Sequence, residues 1–175
     1  MQLSFGLAAA ADIEELAALY DALIDHLVCG ENFPGWRKGV YPTRADAERG
    51  LAENALYVAR HNGRLAGTII LSHRPEPAYQ EGVWKTDADY RDIFVIYTFA
   101  VHPAFLKAGV GKAMLEFSER LAKERGMKAI RLDVYENNTP AIRLYEKCGY
   151  HYAGTVDLGL SEYGLEWFRL YEKLL

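Results

Sequence analysis

The segment Tyr97-Thr98-Phe99-Ala100-Val101-His102-Pro103-Ala104-Phe105-Leu106-Lys107-Ala108-Gly109-Val110-Gly111-Lys112 decides the reading of this chain. Its first part is apolar, aromatic and β-branched, the composition of a buried strand. His102-Pro103 ends that run, because proline has no N–H to give to a ladder and restricts the residue before it. A short stretch with Gly109 and Gly111 follows, and then Ala113, Met114, Phe117 and Leu121 recur with helical spacing. A strand, a glycine-bearing turn and a helix N-terminus in that order let backbone N–H groups approach a phosphate, and the helix dipole favours its charge. Standing alone, the pattern is that of an ordinary tight turn with solvated lysines. Two other glycine motifs fail here. A P-loop ending at Gly111-Lys112 needs glycine at 106 and Ser or Thr at 113, where Leu106 and Ala113 stand. A dinucleotide fingerprint needs a third glycine at 114, which is Met114.

Upstream, Ile13, Leu16, Tyr20, Leu23, Ile24 and Leu27 make an amphipathic helix, with Asp12 and Glu15 as its expected N-terminal cap. Thr43 is expected to cap a second helix running to about Asn54. Leu56 to Arg60 and Leu65 to Ser72 read as strands joined at Asn62-Gly63, a strong hairpin signal. Arg74 to Asp92 is long, polar and aromatic, and reads as an insertion or functional loop. Ile93 to Val101 is a buried strand. Downstream, Gly126 stops the central helix and Ala129 to Val134 is a strand. Thr139-Pro140 opens a helix that Gly149 ends, and Tyr152 to Leu158 and Glu166 to Leu174 close the chain as strands. The order predicts a mixed α/β sheet with helices packed on it.

With 175 residues, half of them hydrophobic, the chain is expected to form one domain. It has no apolar run of the roughly 20 residues that span a bilayer and no signal-peptide pattern, so no membrane association is expected. Cys29 and Cys148 are far apart and read as free thiols, which suits a cytoplasmic protein. A net charge of −4 argues against a general nucleic-acid binder, while leaving room for a local basic pocket.

The turn around Gly109-Val110-Gly111, together with Asn138, Ala141, Leu144, Tyr145, Gly149 and Tyr150, resembles the GNAT-type N-acetyltransferase superfamily. The first motif is similar to that family's pyrophosphate-binding turn, in which Arg or Gln opens the pattern. Leu106 stands at that position here, and Lys107 beside it is the nearest charge. The second is similar to the family's Asn-x-x-Ala-x-x-Leu-Tyr-x-x-x-Gly-Phe/Tyr. The resemblance runs over nearly the whole chain. It implies a single domain over residues 1–175 with a mixed, mostly antiparallel central sheet flanked by helices. It also implies direct acetyl transfer from acetyl-CoA to an amine in a ternary complex, with no metal.

Under that resemblance, Lys107, Ala108, Gly109, Val110, Gly111 and Lys112 hold the diphosphate. Phe99, Ala100 and Val101 face the pantetheine arm, and a backbone N–H there polarises the thioester carbonyl. Tyr145 is the expected general acid for the leaving thiolate, since a phenol with a pKa near 10 is protonated at neutrality. Asn138 is either a cofactor contact or only a turn residue. For the general base, Asp92 is the nearest carboxylate to the start of the fourth strand, with Asp89 and Glu81 as rivals. His73 has a suitable pKa, but a lone histidine is more often structural. Cys148 reads as a small buried residue, having no His-plus-carboxylate pattern around it. Phe33, Trp36, Tyr41 and Trp84 are candidate walls of the acceptor site, and the mildly acidic loop suits a cationic amine. The acceptor is then a small-molecule or peptide amine, and the fold is compatible with a homodimer. A non-catalytic acyl-CoA-binding sensor on the same fold is the rival reading.

Overall fold

The computed structural model describes residues 1–175. Seven strands and four α-helices alternate along the chain. They are β1 (Ser4–Leu7), α1 (Ile13–Cys29), α2 (Arg44–Ala52), β2 (Leu56–His61), β3 (Arg64–Ser72), β4 (Ile93–Val101), α3 (Val110–Glu124), β5 (Ala129–Tyr135), α4 (Thr139–Lys147), β6 (His151–Val156) and β7 (Phe168–Leu174). The strands form one sheet in the order β1-β2-β3-β4-β5-β7-β6. Pairing is antiparallel for β1–β2, β2–β3, β5–β7 and β6–β7, and parallel for β4–β5. No helix is long and apolar enough to cross a membrane. By contact the chain divides into two compact units, one of Met1–Asn32, Trp36–Ser72 and Tyr97–Phe117, the other of Phe33–Gly35, His73–Ile96 and Ser118–Leu175.

In the first unit the helical spacing of α1 buries Leu16, Leu19, Tyr20 and Ile24. The predicted hairpin is present, with Asn62 and Gly63 both at positive φ (49° and 79°), the conformation that a two-residue turn of this hand requires. Thr43 caps α2 as expected, its N–H donating to Asp46 Oδ2 at 2.7 Å. The cap expected at α1 does not form. Asp12 accepts instead from the Ala9 N–H (2.8 Å) and from Arg60 (2.6 Å), and Glu15 accepts from Arg60 (2.8 Å) and the Leu65 N–H (3.0 Å). The guanidinium of Arg60 offers both carboxylates charge-assisted bonds, which outcompete the local backbone. The sequence reading also missed β1, a four-residue edge strand whose period-2 pattern is too short to register.

In the second unit β5 is central. Its apolar residues Ile130, Leu132 and Val134 alternate with Arg131 and Asp133. Arg131 Nε donates to Glu172 Oε1 on β7 at 3.0 Å, with only 3% and 1% of the two side chains exposed. The segment read as a polar loop is anchored to this pair. Arg131 Nη2 donates to the Thr86 carbonyl (2.6 Å), and the Lys85 N–H donates to Glu172 Oε2 (2.7 Å). The guanidinium also lies over the rings of Trp84 (4.3 Å) and Tyr90 (5.0 Å). Two short 3-10 turns, Pro77–Glu81 and Tyr90–Asp92, give the segment its own structure.

Gly67 in β3 marks a close approach. A Cβ there would stand 2.6 Å from Met114 Sδ of α3 and 3.0 Å from the Ala100 carbonyl oxygen of β4. Gly67→Ala is therefore expected to destabilise the fold by about 1–3 kcal/mol, through overpacking that pushes α3 off the sheet. Denaturant unfolding checks this, and an unchanged midpoint would show that Met114 swings aside without cost.

Candidate active site

β4 ends at Val101, and His102 begins the turn. Its N–H donates to the Ala66 carbonyl (2.9 Å), and its Nδ1 accepts from the Ala104 N–H (3.1 Å). Burial and the nearby Arg64 charge lower the His102 pKa, in keeping with that acceptor role for a neutral ring. The chain then reverses through Lys107 and Gly109, both at positive φ (60° and 83°), and enters α3 at Val110. Such left-handed residues turn successive N–H groups to one side and make an anion-binding concavity. The N–H groups of Lys107 and Gly109 have no acceptor within the chain. A side chain added at Gly109 would meet nothing within 4 Å, so the space before it is open. Lys107, Ala108 and Lys112 are exposed, Gly111 is half-buried, and Val110 packs inward. Lys112 pairs with Glu116 along the helix at 3.3 Å, while no ion pair holds Lys107. Leu106 is 39% exposed and leaves the position where the family has Arg or Gln without charge.

On β4 itself, Phe99 and Val101 are half-buried and Ala100 is buried. The residue before them is unusual. Thr98 has a φ of 47° inside a strand, and its hydroxyl shares a 2.8 Å hydrogen bond with Tyr41. The parallel ladder to β5 covers only Ile93 to Val95 on one strand and Ala129 to Arg131 on the other.

In the second unit, α4 begins at Thr139, where the Thr139-Pro140 pair predicts a helix start. Asn138 is the N-cap, Pro140 lies in the first turn, and Gly149 at φ 83° ends the helix as expected. The Asn138 side chain makes no capping bond. Tyr145 is 6% exposed, edge-on to Tyr150 (5.8 Å) and tilted against Tyr171 (6.5 Å).

Asp133 is the carboxylate that the sequence reading passed over. It is half-buried on β5 and accepts from the Tyr79 hydroxyl at 2.8 Å. Burial raises its pKa to about 6, helped by the charge of Glu76 and opposed by the Tyr79 bond. A signal was present in the text, since an aspartate midway along a strand that alternates with Ile130, Leu132 and Val134 cannot sit at a solvated end. Its partner Tyr79 lines an open pocket of ≈ 370 Å³, together with Glu76, Gln80, Trp84, Tyr90 and Arg131.

The remaining candidates scatter. Asp92 ends the second 3-10 turn, and its backbone carbonyl accepts from the Lys128 N–H at 2.7 Å. Asp89 caps that turn and pairs with Arg91, and Glu81 is exposed. His73 is taken up by backbone, its Nδ1 lying 3.0 Å from the Tyr90 carbonyl and 2.8 Å from that of Ile93. Trp36 packs edge-on to Tyr41 (5.7 Å) in the first unit. Phe33 belongs to the second unit, as does Trp84, whose Nε1 donates to the Tyr79 carbonyl at 2.7 Å. Cys148 is half-buried at the end of α4, where its carbonyl accepts from Lys173 Nζ (2.7 Å).

Comparison with known proteins bears on the family and the fold. The family model described as Acetyltransferase (GNAT) family matches residues 18–150. A mycothiol acetyltransferase of Acidothermus cellulolyticus is 28% identical over 102 residues, 58% of this chain and 31% of that protein. The chain thus spans about a third of that relative's length. A streptothricin acetyltransferase of Escherichia coli is 32% identical over 77 residues, 44% of each chain. Among solved structures, a GNAT-family acetyltransferase of Streptococcus agalactiae superposes with a TM-score of 0.78 at 21% identity, over 99% of this chain and 95% of its own. The ribosomal-protein-S18-alanine N-acetyltransferase of Escherichia coli gives 0.71 at 17% identity, over 99% and 94%. At these identities the likeness is one of fold.

Proposed function

Since the chain belongs to the acetyltransferase (GNAT) family, we propose that it works as one domain and transfers an acetyl group directly from acetyl-CoA to a primary amine of a small molecule or peptide. One observation carries this reading: the exposed turn before α3, where the Lys107 and Gly109 N–H groups have no acceptor in the chain. It suits a diphosphate, held by Lys107 to Lys112 with the α3 dipole behind them. Phe99 polarises the thioester carbonyl through its N–H, and Ala100 and Val101 line the pantetheine arm. Asn138 contacts the same arm.

Transfer needs a neutral amine, and the base is best placed at Asp133 rather than Asp92. A carboxylate of pKa about 6 is ionised at neutrality yet basic enough to accept a proton. Tyr145 gives its phenolic proton to the departing thiolate. The pocket lined by Tyr79, the hydrogen-bond partner of Asp133, holds the acceptor, with Trp84 as an apolar wall and Glu76 favouring a cationic amine.

Release of CoA thiol from acetyl-CoA across a panel of amines tests the reading. Because Asp133 accepts a proton only when ionised, kcat/KM should fall as pH drops through about 6 and level off above it. Asp133→Asn should lower kcat by ~100-fold or more and abolish that limb. A profile that stays flat from pH 5 to 8, or an Asn variant that keeps the limb, would remove Asp133 as the base. Tyr145→Phe should reduce kcat by ~10–100-fold with acetyl-CoA affinity nearly intact, and equal turnover would take Tyr145 out of the mechanism. Lys107→Glu, which reverses the one unpaired charge of the turn, should weaken acetyl-CoA binding by ~5–10-fold. Unchanged binding by calorimetry would refute the diphosphate assignment.

A further inference from the structure

Four residues other than glycine have positive φ: Asn54, Asn62, Thr98 and Lys107. Three of them lie in turns, where that conformation serves a reversal of the chain. Thr98 alone lies inside a strand, is 5% exposed, and is β-branched. A β-branched side chain in the left-handed region is a genuine outlier and persists only where its surroundings hold it. The hold is visible. Its hydroxyl shares the 2.8 Å hydrogen bond with the phenol of Tyr41.

Tyr41 is itself fixed. Its N–H donates to the Arg37 carbonyl at 3.0 Å, its carbonyl accepts from the Arg37 N–H at 3.3 Å, and Trp36 packs edge-on against its ring. The Asn32 amide in turn donates to the Trp36 carbonyl at 2.8 Å. Asn32, Trp36 and Tyr41 are thus linked to one another, and Tyr41 meets β4 at the Thr98 hydroxyl.

The consequence lies one residue on. A left-handed residue within a strand turns the following peptide out of the regular ladder direction, as a bulge does. The direction of the Phe99 N–H thus depends on the φ of Thr98. We propose that Tyr41 is a positioning residue for acyl transfer: its hydroxyl keeps Thr98 left-handed and so aims the Phe99 N–H at the thioester oxygen. The proposal rests on the acetyl-transfer reading for its chemical consequence, and on β4 geometry alone for its structural one. It changes the role of Tyr41 from a wall of the acceptor site to a brace of the acyl site. It also ties the segment that carries Trp36 to the strand that polarises the carbonyl, so an acceptor that shifts this segment is felt at Phe99.

Three variants separate a strain-holding brace from a simple contact. Tyr41→Phe removes the phenol, Thr98→Val removes the hydroxyl but keeps the branched side chain, and Thr98→Gly removes the strain itself. Tyr41→Phe and Thr98→Val should each lower kcat by ~10–100-fold, with the acetyl-CoA dissociation constant within about twofold of wild type. Thr98→Gly should keep kcat within about fivefold, because glycine holds a positive φ without support. Hydrogen exchange of the Phe99 amide, read by NMR, should quicken in the first two variants and change least in Thr98→Gly. Wild-type kcat and exchange in Tyr41→Phe, or a Thr98→Gly as impaired as Thr98→Val, would overturn the proposal. If no amine supports turnover even in the wild type, the acetyl-transfer reading fails by itself. The exchange series then decides the brace, and equal Phe99 exchange in all variants refutes it.

Discussion

The buried pair of Arg131 with Glu172 governs much of the second unit. Two ions with 3% and 1% of their side chains exposed must satisfy each other and every remaining donor and acceptor, or the desolvation cost is not offset. The pair meets that demand by recruiting backbone from the segment after β3, through the Thr86 carbonyl and the Lys85 N–H, and by presenting its guanidinium face to Trp84 and Tyr90. A stretch whose composition reads as solvated loop is thereby converted into an ordered wall. Two residues from Arg131 along the same face of β5, Asp133 is governed by burial, which raises its pKa to about 6 against the opposing Tyr79 bond and with the charge of Glu76 adding to it.

The first unit uses backbone where the second uses charge. Lys107 and Gly109 adopt left-handed conformations that turn N–H groups outward at the start of α3, and Thr98 adopts one within β4. At Gly109 the residue type fits the geometry without strain. At Lys107 and Thr98 it does not, and strain of this kind persists when the surroundings over-determine it. The observations that make Thr98 more than an oddity are its burial and its single side-chain hydrogen bond.

Most elements were legible because each has a local cause. The Asn62-Gly63 turn, the cap at Thr43, the proline after His102 and the glycine that ends α4 are fixed by residues within a few positions. The misreadings share the opposite property. The α1 cap was lost to Arg60, 48 residues from Asp12, and β1 exists only because β2 is there to pair with it. In the candidate site, the glycine turn and the α4 motif could be read as text, since both are contiguous. Asp133 was legible only as an aspartate within a strand; its raised pKa was not, because burial, Tyr79 and Glu76 set it from distant parts of the chain. Tyr41 was noticed only as an aromatic residue. Its partner Thr98 lies 57 positions on, and no local pattern announces that contact.

Leu106 bears on how the turn would hold a diphosphate without the side chain that the family pattern leads one to expect. The position is 39% exposed, so a charged residue there would reach solvent and gain only a screened contact with a diphosphate. Lys112, the other nearby cation, is partly spent on Glu116. What remains is the N–H array, the dipole of a 15-residue helix and the single charge of Lys107. Backbone donors lose no rotamer entropy on binding and are held by the fold itself, here by the packing of Val110 and Met114 over Gly67. The anion recognition proposed for this turn would therefore depend more on how firmly α3 is seated on β3 than on which side chains surround the turn.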